Sequence, residues 1–123
     1  MPKLLEFNAD TPTSLFEAAV IQWQWKEQLF PNKDQFNSIH EALVSSWDFI
    51  HQQYEANEYH FVCIEENLED YTTTSYILST AHEAGLNTVM MDVEDITLFD
   101  GKFFNLNRAH LDVLFKLYPY EWL

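Results

Sequence analysis

The stretch from Tyr59 to Asp95 restricts the fold of this chain more than any other. "YHFVCIEE" is short, aromatic and β-branched, which reads as a central strand. "NLEDYTTTSYILSTAHEAG" follows directly and reads as a helix whose last turn stops at Gly85. "NTVMMDVED" then supplies a second strand. Strand, helix, glycine stop and strand in this order are the signature of a βαβ unit with parallel strands.

The flanking segments fit around that unit. "LLEF" reads as a short opening strand, and Pro12 between two threonines as a turn. Thr13 or Ser14 can cap a first helix, with Glu17 placed to complement its dipole. Phe16, Ala19, Val20, Trp23 and Leu29 recur at helical spacing as far as about Phe30, and Pro31 ends the run. Asp34 can cap a second helix reaching about Tyr54, with Phe36, Ile39, Leu43, Trp47 and Ile50 as its apolar stripe. "TLFDGKFFNL" carries a D-G turn between apolar runs and predicts a hairpin. A last strand around Val113 to Leu117 is stopped by Pro119. The sequence therefore predicts one α/β domain over residues 1–123, three-layered and Rossmann-like, with a small, mostly parallel sheet.

Charge limits the partners. Twenty acids against six bases give a net charge of -14, a field that repels phosphate backbones and argues against nucleic acid. It suits metal ions or polyamines, and it equally serves solubility. The single cysteine, Cys63, lies in the predicted central strand and reads as a structural thiol of a reducing compartment. The first residues lack the pattern of a signal peptide, and no apolar run approaches a membrane span. The expected location is cytoplasmic. Five histidines show no HExxH spacing, and two glycines cannot build a phosphate-cradling loop.

Three acidic groups could carry chemistry. Glu6, Asn8 and Asp10 alternate in "KLLEFNADTPTS", so a strand would aim all three oxygens to one side. Magnesium favours oxygen-only donors of this kind, whereas a polar strand end needs no ligand at all; spacing alone favours the latter. Glu65, Glu66, Glu69 and Asp70 gather in "EENLEDY", after the central strand. Ligands of parallel sheets bind at that end of a strand, and carboxylates there can hold an amine. Acids in a first helical turn also serve the helix dipole, which accounts for most of the four. Asp92, Glu94 and Asp95 mark a third edge, read as a solvated loop.

"KLLEFNADTPTSLFEAA", "DQFNSIHEAL" and the closing "LFKLYPYEWL" occur in an order that resembles the glutathionylspermidine synthase family, in particular its bacterial branch without an amidase domain. Members of that family are ATP-grasp ligases that activate a carboxylate as an acyl phosphate for attack by an amine. The resemblance implies that Glu6 and Asn8 bind Mg2+ beside ATP. It implies that Thr11 and Thr13, in place of serines, lie by a glutathione-like peptide carboxylate. Glu69 would bind the glutathione end of the substrate, and Asp70 would lie on the side of a spermidine-like polyamine. Trp122 stands where the family has a threonine, so glutathione itself is not assured as the substrate.

The family's Arg-x-Asp strand would precede Lys3, and its basic, glycine-rich ATP-binding part would follow Leu123. Six basic residues do not neutralise a triphosphate. The expectation is therefore a central pre-ATP-grasp segment of a larger enzyme, with Met1 added at its start, inactive by itself and partnered by the rest of the parent chain. The competing reading is a non-catalytic acidic module that recruits a polyamine or a basic partner.

Overall fold

A computed structural model describes residues 3–4, 11 and 13–122. The expected opening strand and the candidate metal ligands Glu6 and Asn8, with Asp10, fall outside the described residues.

The predicted βαβ unit is present. Strand β1 (Tyr59–Cys63) leads into helix α3 (Leu68–Glu83) and then to strand β2 (Thr88–Asp92). β1 pairs in parallel with β2, Tyr59 opposite Thr88, and with β5 (Val113–Lys116), Tyr59 opposite Val113. The sheet order is β2-β1-β5, so β1 is central, and all five of its residues are buried. That explains why even its polar residue His60 is buried, since strands covered on both faces lose the exposed polar alternation.

Alternation along β1 divides the core. Tyr59 and Phe61 face the helices and pack with Trp47, Ile77, Ala81 and Leu86. The Trp47 and Phe61 rings meet edge to face at 5.3 Å. The Trp47 indole N–H donates to Thr80 Oγ1 at 3.0 Å, so the ring is buried without an orphaned donor. Val62 faces the other way and packs with Met91, Leu111 and Ile96. The second face is thus covered by the segment between β2 and β5, which includes a hairpin of β3 (Thr97–Phe99) and β4 (Lys102–Phe104). Asp100 and Gly101 turn this hairpin with φ of 50° and 71°, as the D-G pair predicts. Helices, sheet and hairpin segment make the three layers.

Gly85 ends α3 at φ 88°. Its N–H donates to His82 O at 2.9 Å and that of Leu86 to Ala81 O at 3.1 Å, which together form a Schellman motif.

The first helix starts near the expected position, with no side-chain cap bond at its N-terminus, and departs from ideality inside. Ser14 O accepts from Ala18 N at 3.1 Å, the turn Glu17–Ile21 is π-helical, and α1 (Gln22–Leu29) continues it to Phe30. Asn37 spans from the next loop and donates through Nδ2 to Ala18 O and Ala19 O at 3.1 and 3.3 Å. These bonds satisfy carbonyls at a widened turn. The same residue corrects the expected start of the second helix. Asn37 Oδ1 accepts from Ile39 N, and α2 spans Ile39–Gln53, so Asp34 only bonds the neighbouring Gln35 N–H. Phe36 consequently lies outside the helix, fully exposed, and is no part of the apolar stripe.

Candidate functional site at the carboxyl edge of the sheet

The βαβ crossover brings the carboxyl ends of β1 and β2 together, with the start of α3 between them. Asn67 caps α3. Its Oδ1 accepts from Glu69 N and Asp70 N at 3.1 and 3.3 Å, while its Nδ2 donates to Asp70 Oδ2 at 2.9 Å. Two of the four orphan donors of the helix are satisfied, and the Asp70 carboxylate is fixed against the cap. Burial pushes the Asp70 carboxyl above its ordinary range, which makes its ionised form more demanding of a cationic neighbour. Glu65, Glu66 and Glu69 are exposed around it.

Asp92 joins the two strand ends. Its Oδ2 accepts from Glu65 N at 2.9 Å and its Oδ1 from Glu94 N at 2.8 Å. The expected solvated loop is thus partly a brace: Asp92 is half-buried and both its oxygens are engaged. The signal was the residue type, since aspartate is favoured where a short helical turn needs a cap. Asn67, directly before the acids, could have been found by the same rule.

Below this edge lies Cys63, fully buried beside Thr74. Burial first, and then the charges of Asp70, Glu65 and Asp92, push its thiol pKa up, while the Thr74 hydroxyl opposes them. A thiolate is disfavoured there, which agrees with a structural thiol. The cation at the end of β5, Lys116, donates to Tyr118 O at 2.5 Å and sits 3.4 Å from the centre of the Tyr120 ring.

A cleft of about 440 Å³ opens between the start of the first helix and α3, lined by Phe16, Glu17, Leu68, Glu69, Thr72 and Thr73. Glu69 therefore faces a cavity whose opposite wall begins three residues after Thr13. Thr11 is half-buried and Thr13 exposed, and neither side chain lines the cleft. Among the described residues, no three His, Cys, Asp or Glu side chains are grouped to hold a metal ion. No described helix is long and apolar enough to cross a membrane.

Over residues 1–123 the sequence matches the family described as "Glutathionylspermidine synthase preATP-grasp". A Haemophilus influenzae protein named "Putative acid--amine ligase" is 44% identical over 126 residues, which is 98% of this chain and 32% of that relative. The chain thus spans about a third of the length of the curated relative it matches.

Proposed function

Because this chain belongs to the glutathionylspermidine synthase preATP-grasp family, we propose that it is the substrate- and magnesium-binding segment of an ATP-dependent carboxylate–amine ligase. In such a reaction the carboxylate is activated as an acyl phosphate. The amine then forms the amide bond and phosphate leaves.

The observation that carries the reading is Asp70, capped by Asn67 at the carboxyl edge of a parallel sheet and beside Glu69 on an open cleft. An ammonium group entering there would relieve the desolvation cost of the Asp70 carboxylate, while Glu69, on the cleft, would meet the glutathione-like end of the other substrate. The acid partner would lie towards the segment before the first helix, where Thr11 and Thr13 are the proposed neighbours of a peptide-like carboxylate, although neither side chain lines the cleft itself.

Glu6 and Asn8 are the proposed magnesium ligands. One carboxylate and one amide oxygen suit a hard cation, and the ion would supply charge neutralisation to the phosphates. The described residues offer few groups for an ATP triphosphate. Lys26 is engaged by Glu27 and the Trp23 ring, and Lys116 by a carbonyl and the Tyr120 ring. Gly85 and Gly101 serve a helix end and a hairpin turn. The remainder of the parent ligase would bind the nucleotide.

Calorimetric titration with spermidine and with glutathione, joined to a phosphate-release assay, tests this reading. Binding of both ligands without ATP turnover is expected. Magnesium-dependent turnover by residues 1–123 would contradict the proposed division of labour. Spermidine binding with a steep salt dependence and no glutathione binding would favour an acidic recruiting module instead.

A further inference from the structure

Arg108 is the only arginine of the chain, in a protein with 20 acids. Among the described residues it makes no ion pair. It lines a cavity of about 530 Å³ with Thr97, Phe99 and Phe104 of the β3–β4 hairpin. We propose that these four residues form a subsite for an anion carried on a flat apolar body, with Arg108 binding the anionic head and the two phenylalanine rings the body. The subsite stands on this geometry and does not depend on the ligase reading.

The backbone under Arg108 is held in place. Its φ is 63°, in the left-handed region that a side chain disfavours. Four hydrogen bonds enforce it. Asn105 Oδ1 accepts from Asn107 N and from Ala109 N, both at 2.9 Å. Arg108 N donates to Asn105 O at 2.9 Å and Asn105 N to Ala109 O at 3.0 Å. A disfavoured conformation sustained by a closed network is a common mark of a binding loop.

The walls are equally defined. Phe104 bridges to His110 across the chain, and their rings meet edge to face at 5.5 Å. Thr97 Oγ1 donates to Phe104 O at 3.2 Å, which ties the two strands at the cavity. Phe99 is 75% exposed, so its ring presents a large apolar area at the cavity. A guanidinium presents a planar fork suited to carboxylate and phosphate alike, and a flat body can lie against the rings. The long-range field of a chain at -14 repels anions, so an unneutralised arginine in a cavity is the local exception to it. Asn105 and Asn107 of the same loop also line a groove with Glu65 and Asp95, which puts the subsite next to the carboxyl edge.

The test is an amide-resolved NMR titration of the 123-residue chain with phenylacetate and with phenyl phosphate. Inorganic phosphate and 2-phenylethanol serve as controls. Saturable shifts at Thr97, Phe99, Phe104 and Arg108 are expected from at least one of the two anions, and the tighter one identifies the head group. Arg108→Gln should weaken that binding by about tenfold or more, and Arg108→Lys by less, since it keeps the charge and loses the fork. Phe99→Ser, which leaves the arginine in place, should weaken it as well. The proposal is overturned if nothing saturates below about 10 mM, if 2-phenylethanol binds equally well, or if Arg108→Gln leaves the affinity unchanged.

Discussion

The Asp92 carboxylate, at the end of one strand, accepts the backbone N–H of Glu65 at the end of the neighbouring strand, 2.9 Å away. Its other oxygen caps the turn at Glu94. One side chain therefore sets the spacing of the loops that form the candidate site. Asp92→Ala should destabilise the domain by about 2 kcal/mol, from a lost cap and a lost cross-strand bond. At about 3–6 °C per kcal/mol, a thermal melt reads this directly. Asp92→Asn keeps one acceptor oxygen and should cost about half as much.

Asn67→Ala removes the cap of α3 and the donor that fixes Asp70. A loss of about 1 kcal/mol in urea unfolding is expected. Asn67→Asp should retain the cap yet oppose Asp70, so it separates stability from amine affinity. Stability between those of wild type and Asn67→Ala, with spermidine binding no weaker because a carboxylate is added beside Asp70, is the expected pair of outcomes.

His60 gives the domain a predictable acid sensitivity. Its ring is 1% exposed, and neither nitrogen has a hydrogen-bond partner among the described residues. Burial lowers its pKa from 6.5, against the opposing influence of Glu58, whose Oε2 lies 3.6 Å from Nε2, and of Asp112. A lowered folded-state pKa means that the unfolded chain takes up the proton first. The contribution of His60 is thus complete above pH 6.5 and is lost as pH falls from there towards the lowered value. The slope is at most about 1.4 kcal/mol per pH unit. Urea midpoints measured downward from about pH 7.5 should show this decline, and His60→Phe should flatten it.

Cys63 should be silent to thiol reagents while the domain is folded. It is fully buried, and its thiol is held protonated by burial and by the acids above it. Addition of Ellman's reagent to the native chain should release almost no chromophore, and addition in denaturant one equivalent per chain. Rapid native labelling would contradict the packing of Cys63 under the acidic edge.

The periodic elements were legible because each carries a local physical signal. Gly85 supplies the positive φ that ends α3, and Asp100-Gly101 the two positive φ values of a hairpin turn. The aromatic and β-branched run of β1, interrupted only by His60, announces a strand covered on both faces. The site was legible only in part. Glu69 and Asp70 could be placed at the carboxyl edge from the βαβ order, but their fixing by Asn67 and the brace at Asp92 depend on a crossover that joins distant residues. Asp34 and Asn37 are both good caps, and the choice between them was made by tertiary contact. Asn37 alone reaches the widened turn at Ala18 and Ala19. The π-helical turn itself has no sequence signal comparable to a glycine or a proline. Leu29 recurs at helical spacing with Phe16, Ala19, Val20 and Trp23 and yet is 58% exposed, because helical spacing identifies a face without saying what covers it.

The amine-binding role proposed for Asp70 bears on ionisation as well as affinity. Asp70 must be ionised to hold an ammonium, and its pKa is raised above 3.8. Spermidine affinity should therefore begin to fall, on acidification, at a higher pH than an ordinary aspartate would give. In Asp70→Asn this contribution to the pH dependence should be lost. Calorimetry across the acidic range checks it.

The central claim is most directly tested by following backbone amides of the chain during a spermidine titration, in the wild type and in Glu69→Gln/Asp70→Asn. Saturable shifts concentrated at Glu65 to Asp70 and along the cleft at Phe16 and Thr73 are predicted, with affinity reduced about tenfold or more in the double variant. Shifts spread evenly over all acidic surfaces, with the same affinity in both proteins, would contradict it.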